Sequence, residues 1–213
     1  MRMRLSHLVP LTGLIFAGLV LVSIFGGGNT PNSDASAQKA VLYFHGHHHR
    51  ETVTTYVFWY GILFAIPFAA ALRSYLRKRG GSEGMLTLAF AGMITFVIGG
   101  ALWGSFVSAA TDVPTKISPI AEQALNVLQN DIFVPMLIGS CVFMVGTGLA
   151  IELGRMLPRW LGWLAIVIGI VSVLPKVAFF GLLGMLGWTI VVCVYILVTQ
   201  SSEEPVQAAA APA

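Results

Sequence analysis

The residues best suited to chemistry in this 213-residue chain lie in one stretch, 45–51, which reads His-Gly-His-His-His-Arg-Glu. In a helix, His45, His48 and His49 would share a face, because residues three and four positions apart are neighbours. Neutral imidazoles at that spacing bind Zn²⁺ or Cu²⁺, and Glu51 would add an oxygen ligand or orient His47. Histidines also change charge close to neutral pH, so the stretch could instead sense acidification. The alternative is a polar segment that leads into a membrane helix and binds no metal.

A second candidate site combines Lys176, Asp112, Asp131 and Trp103 as ligand-binding residues. Ionisable residues are costly in hydrocarbon and usually mark function, and Lys176 is the one charge that the pattern places at depth. Lys176 would be the counter-ion of an anionic ligand, of Asp112 or of Asp131. Alternatively, it belongs to a turn and extends its side chain towards the membrane surface.

Composition indicates that these residues belong to a membrane protein. Hydrophobic residues make up 56% of the chain and charged residues 10%, and the mean hydropathy is +0.82. A soluble domain carries roughly a quarter of its residues charged. We therefore predict an all-α, polytopic transmembrane bundle with about six spans and two external amphipathic cap helices, all in one domain, 1–200. The predicted spans cover residues 8–25, 53–72, 85–108, 132–151, 160–174 and 177–198.

Two external segments are long enough to form the cap helices. Ser33–Thr52 begins with a Ser-Asp pair that suits a helix N-terminus, and Thr115–Asp131 contains Ser118-Pro119, which does the same. In the second segment the apolar positions follow helical spacing, and they are Ile120, Ala121, Ala124, Leu125 and Leu128. We expect both helices to lie along the outer membrane surface.

The two ends of the chain carry separate expectations. The first apolar stretch, Leu8–Phe25, is either a cleaved signal peptide or a retained helix, and the distance to the small residues at 35–37 favours a retained helix. The last apolar block divides at Pro175 or at Gly181, with the choice left open. The tail, 201–213, is predicted to be disordered and cytoplasmic.

Basic residues set the predicted orientation. Eight of the twelve fall on the side of the N-terminus: Arg2, Arg4, Arg73, Arg77, Lys78, Arg79, Arg155 and Arg159. By the positive-inside rule both termini are predicted to be cytoplasmic. This placement also argues against nucleic acid as a partner. Cys141 and Cys193 lie within apolar stretches and are expected to be small buried side chains, although a disulfide between them is not excluded.

The run from Leu157 to Ala165, with Gly169-Ile170 and Leu174-Pro175, resembles an actinobacterial-type family of six-helix membrane proteins of unknown function. Other parts of the chain resemble the same family: Ser33-Asp34, Ala37, Tyr43, His49-Arg50, Leu72-Arg73 and Gln123-Ala124-Leu125. The resemblance implies a six-helix architecture in a bacterial cytoplasmic membrane and no particular reaction. His45, His47 and His48 exceed the family pattern.

Three functions follow as hypotheses. The first is a non-enzymatic bundle that binds a partner or a small apolar or amphipathic ligand in an outward-facing cavity. The second is an external metal-binding or pH-sensing protein built on His45–His49. The third is a small enzyme acting on lipid, which is the weakest because the chain has no catalytic motif and no nucleophile beside the histidines. Lipid is the expected partner, with a protein partner or a second copy of the chain also possible.

Overall fold

The computed structural model describes residues 5–112, 116–174 and 176–209, with side chains from 9 to 199. This part of the chain is all helical, as predicted, and contains seven helices. They are α1 (Leu5–Gly26), α2 (Ala37–Lys78), α3 (Glu83–Asp112), α4 (Pro119–Asp131), α5 (Val134–Gly154), α6 (Arg159–Val171) and α7 (Ala178–Ala209).

The first predicted cap helix is not a separate element. Ser36, rather than Ser33 or Asp34, caps a single helix of 42 residues that includes both the external segment and the second span. The helix is about 63 Å long, twice the thickness of a hydrocarbon core. Between Ser36 and the start of the predicted second span at residue 53, Gly46 is the residue that most disfavours helix, at a cost of about 1 kcal/mol, which is too little to break it.

Five of the helical segments are long and apolar enough to cross a membrane, which indicates a membrane protein. Helix α6 has 13 residues and spans about 20 Å, so it falls short of the hydrocarbon thickness. The turn after it lies before Ala178, and Gly181 is inside α7. Pro175 and Thr115 lie outside the described residues, and α7 extends to Ala209, beyond the predicted start of the disordered tail at 201.

Six helices form a closed ring in the order α1, α2, α3, α5, α6, α7, and α7 returns to contact α1. Aromatic side chains from five of these helices meet inside it and are fully buried: Phe16, Phe68, Phe96, Phe143 and Trp188. Their ring centroids lie 6.0–6.4 Å apart, from Phe96 through Phe16 to Trp188. Trp188 Nε1 donates to the carbonyl of Leu161 on α6, 2.9 Å away. We call these five side chains the aromatic plug.

Glycines bring α3 and α5 into backbone contact. A Cβ on Gly139 of α5 would overlap the backbone of Phe96, and a Cβ on Gly92 of α3 would overlap the backbone of Phe143. Small residues allow this close approach in membranes, where burial from water gives little driving force between helices.

Large apolar side chains remain exposed around the outside of the ring, including Leu63, Ile98, Val167 and Val194. An apolar surface of this extent is unusual for a soluble monomer and suits contact with lipid. Cys141 and Cys193 are both free. Cys193 is buried as predicted, whereas Cys141 is only partly buried.

Candidate functional site

A cavity of about 190 Å³ occupies the end of the ring that carries α4, above the aromatic plug. Four aromatic rings line it, together with Met136, Leu182 and a group of polar residues near Glu51. The lining residues are Ser23, Ile24, Gly27, Gly28, Thr30, Glu51, Thr54, Thr55, Phe58, Trp103, Phe133, Met136, Phe179 and Leu182. Phe179 is 47% exposed, so that side of the cavity borders the surface of the molecule.

Glu51 holds the connection between α1 and α2 in place over the cavity. The side chain is 4% exposed, and Oε1 accepts hydrogen bonds from the Gly28 amide at 3.0 Å and the Tyr43 hydroxyl at 2.7 Å. Burial and the Glu51 carboxylate raise the pKa of Tyr43 well above its usual range, so the hydroxyl remains a donor. A Cβ on Gly28 would overlap the Tyr43 hydroxyl, so a larger residue there would have to displace the Tyr43 side chain.

Arg50 fastens the same connection from the outside. Its Nε donates to the carbonyl of Gly26 at 2.7 Å, and Nη2 donates to the carbonyl of Gly27 at 2.5 Å. These carbonyls lie at the C-terminus of α1, where a cation also interacts favourably with the helix dipole. The neighbouring residues Arg50 and Glu51 therefore bind consecutive peptide groups of one loop.

Helix α4 holds the second half of the connection with three side-chain amides. Gln123, Asn126 and Asn130 donate to the carbonyls of Ala35, Asn32 and Pro31 at 3.0, 3.0 and 3.2 Å. Ser118 caps this helix and Pro119 begins it, as predicted. We call residues 27–36, held by α2 and α4, the roof of the cavity.

Helix α4 packs its polar face inward and leaves its apolar face exposed. Ile120 is 77% exposed and Leu128 43% exposed, whereas Glu122, Asn126 and Gln129 are buried. The inner face is polar because the roof carbonyls require donors. The apolar positions are left to face the surroundings.

Glu122 is a buried acid without a partner. It has no exposed surface, and neither carboxylate oxygen has a hydrogen-bond partner within the described residues. Burial raises the pKa of Glu122 to about 7. Local sequence does not predict the burial of Glu122, because that burial depends on how α4 docks.

The four histidines of the 45–49 stretch lie on α2 outside the cavity, and all four are exposed. His48 Nδ1 lies 2.7 Å from the carbonyl oxygen of Thr111, which can only accept a hydrogen bond, so Nδ1 is the donor. His47 stacks on Tyr43, with ring centroids 4.5 Å apart. Across the described residues no group of three or more His, Cys, Asp or Glu side chains is placed to hold a metal ion. The Zn²⁺ or Cu²⁺ site therefore stays a prediction, and Glu51 points into the protein rather than towards His45, His48 and His49.

Of the four predicted ligand-binding residues, only Trp103 lines the cavity. Asp112 and Asp131 are exposed at the ends of α3 and α4. Lys176 is exposed in the turn between α6 and α7, with a positive φ of 72°, and pairs with neither acid. Lys176 is therefore a turn residue, the alternative that its neighbourhood in the sequence also allowed.

The residues that the sequence analysis missed are mostly those of the roof and the apolar wall. Neither the type nor the spacing of Tyr43 and Arg50 predicts a role at a cavity. The apolar lining residues are indistinguishable in sequence from other residues of apolar helices, and they are Phe58, Phe133, Met136, Phe179 and Leu182. The run Gly26-Gly27-Gly28 was the one available signal, because consecutive glycines indicate close approach of other groups to the backbone.

Comparison with known proteins adds no relative: no family model, no curated protein and no solved structure matches this chain. The resemblance to the actinobacterial-type family stays a prediction.

Glu122 makes stability depend on pH. Its pKa is higher in the folded protein, about 7, than the usual 4.5, so the folded state binds the proton more tightly. The contribution of Glu122 to the free energy of unfolding is therefore greatest below pH 4.5, falls as the pH rises to about 7, and is then constant. The loss is at most about 3 kcal/mol. Glu122→Gln should remove this dependence and raise the melting temperature in detergent at pH 8.

The measurement is the difference in melting temperature between the parent and Glu122→Gln at each pH from 4 to 8. Because both proteins contain the same histidines, the contribution of the histidines cancels in this difference. Glu83→Gln is the control, because Glu83 is exposed in its ion pair with Arg73. A difference that stays constant with pH would contradict the assignment.

Proposed function

We propose that this protein is a non-enzymatic membrane bundle that binds a small apolar or amphipathic ligand in the cavity beneath the roof. The observation that carries the proposal is a cavity of about 190 Å³ with an apolar wall and a few polar groups gathered at one end. Ligand sites have this composition, in which a few polar groups fix orientation within a mostly hydrophobic surface.

The position of Phe179 supports entry from the membrane side. This ring lines the cavity and is about half exposed at the start of α7, beside other exposed apolar residues such as Phe180. A ligand dissolved in the outer part of the bilayer would reach the cavity without crossing the polar roof. The outward apolar face of α4 would rest in the same layer of lipid.

The scarcity of acid–base groups among the described lining residues argues against the hypothesis of a small enzyme acting on lipid. Glu51 is the one ionisable side chain among the lining residues described, and its Oε1 is occupied by Gly28 and Tyr43. No histidine lines the cavity in the described part of the chain, so a Ser–His or Cys–His pair is not formed there.

We further propose that the chain crosses a bacterial cytoplasmic membrane six times, with α6 and α7 forming a hairpin, and that both termini are cytoplasmic. The distribution of arginines supports this orientation. It places the roof, α4 and the cavity on the external side.

Cysteine labelling tests this orientation. In a chain whose two native cysteines are replaced by alanine, His49→Cys should react with a membrane-impermeant maleimide in intact cells. Lys78→Cys, which is also exposed, should react only after permeabilisation. The reverse pattern would invert the protein in the membrane and move the cavity to the cytoplasm.

Photolabelling tests ligand binding. An octanol that carries a diazirine is amphipathic and small, and we expect it to label the cavity residues Trp103, Phe133 and Met136. Leu182→Phe fills part of the cavity from α7, where Leu182 is 3% exposed, and should reduce this labelling about fivefold. Peptide mass spectrometry measures the labelled fraction of each residue.

Leu164→Phe is the matched control, because it adds the same atoms at a partly exposed position of α6 away from the cavity. This variant should be labelled like the parent. Equal labelling in Leu182→Phe and Leu164→Phe, or labelling confined to lipid-facing residues, would refute the proposed ligand site.

A further inference from the structure

We propose that the ligand of this cavity carries an organic cation, an ammonium group held between the Glu51 carboxylate and the aromatic wall. The inference rests on the proposed function and adds the chemical class of the ligand.

The charge of the lining is the first support. Glu51 is its one ionisable side chain among the residues described, and no basic residue lines the cavity with it. The nearest candidate, Arg50, is exposed and donates to the carbonyls of Gly26 and Gly27, and it forms no ion pair with Glu51. A buried carboxylate that lacks a counter-ion is strongly destabilising. A cation that enters the cavity would therefore form a favourable ion pair with Glu51.

The hydrogen bonds of Glu51 leave room for such a partner. Both recorded donors, Gly28 N and Tyr43 Oη, bind the same oxygen, Oε1. A carboxylate has two acceptor oxygens and about four lone-pair positions. Within the described residues Oε2 has no hydrogen-bond partner, and it is not fully buried. This oxygen is therefore available to a ligand.

The aromatic wall is the second, independent support. Phe58, Trp103, Phe133 and Phe179 come from four different segments and line one small cavity. Phe58 and Trp103 lie edge to face with centroids 5.0 Å apart. Aromatic faces attract ammonium groups, tryptophan most strongly, and sets of such rings recognise quaternary ammonium.

Other ligand classes fit this lining less well. An anion would be repelled by the charge of Glu51, which costs free energy. A divalent metal requires several oxygen or nitrogen ligands, and Glu51 is the one carboxylate in the described lining. A neutral alcohol gains a hydrogen bond to Glu51 but little from the aromatic faces.

The test uses choline and its uncharged carbon isostere, 3,3-dimethylbutan-1-ol, as competitors of the photoreactive octanol in an uncharged maltoside detergent. The two probes have the same shape and differ in charge. In the parent we expect choline to block labelling of Trp103 and Met136 at about tenfold lower concentration than the isostere. Glu51→Gln keeps an acceptor for Gly28 and Tyr43 but removes the charge, and it should abolish the difference.

Trp103→Leu is the second variant, which decides the matter if Glu51→Gln does not fold. With Met136 as the reporter, it should weaken choline several-fold and leave the isostere nearly unchanged. Trp163→Leu, at an exposed position of α6 that does not line the cavity, is its control and should behave like the parent.

Three results would overturn the inference: an isostere as effective as choline, a choline advantage that persists in Glu51→Gln, or no competition by either probe. In each case the photoreactive octanol would still label the cavity of the parent, so the proposed ligand site would stand. Loss of that labelling itself would instead refute the proposed function.

Discussion

Phe16, Phe68, Phe96, Phe143 and Trp188 contact one another along the inside of the ring and are fully buried. Lipid is as apolar as these side chains, so transfer from water does not hold such helices together. Close van der Waals packing of complementary shapes holds them together instead. Five large rings fill the middle of the ring of helices. The cavity of about 190 Å³ lies at the end above this plug, and a much smaller one of about 10 Å³, lined in part by Phe143 and Arg73, lies at the other end. The plug thus forms the floor on which the wall and the roof of the larger cavity are built.

The roof turns that space into a site. Its peptide groups are satisfied from two directions, by Arg50 and Glu51 on α2 and by three amides on α4. Glu51 thus has two roles, because Oε1 holds the roof and the carboxylate also gives the cavity its charge. Helix α4 completes the roof with a polar inner face, which leaves Ile120 and Leu128 exposed.

The helical class and the start of α4 followed from sequence, because apolar runs and the Ser118-Pro119 cap are local signals. The continuous α2 did not, since one glycine within a long helix is a weaker break than the change from polar to apolar residues suggested. The inward turn of Glu51 and the burial of Glu122 arise from contacts with Gly28, Tyr43 and docked α4, which are distant in sequence. The histidines attracted attention by their number, yet α2 presents them outward.

An experimental density map of the protein in lipid nanodiscs tests the ligand cavity most directly, because it shows what occupies the space between Glu51 and Trp103. We predict density that no part of the chain explains, with one end beside the Glu51 carboxylate and the other at Phe179. A cavity closed by the side chains of Phe133 and Leu182, or one that holds only isolated waters, would contradict the account.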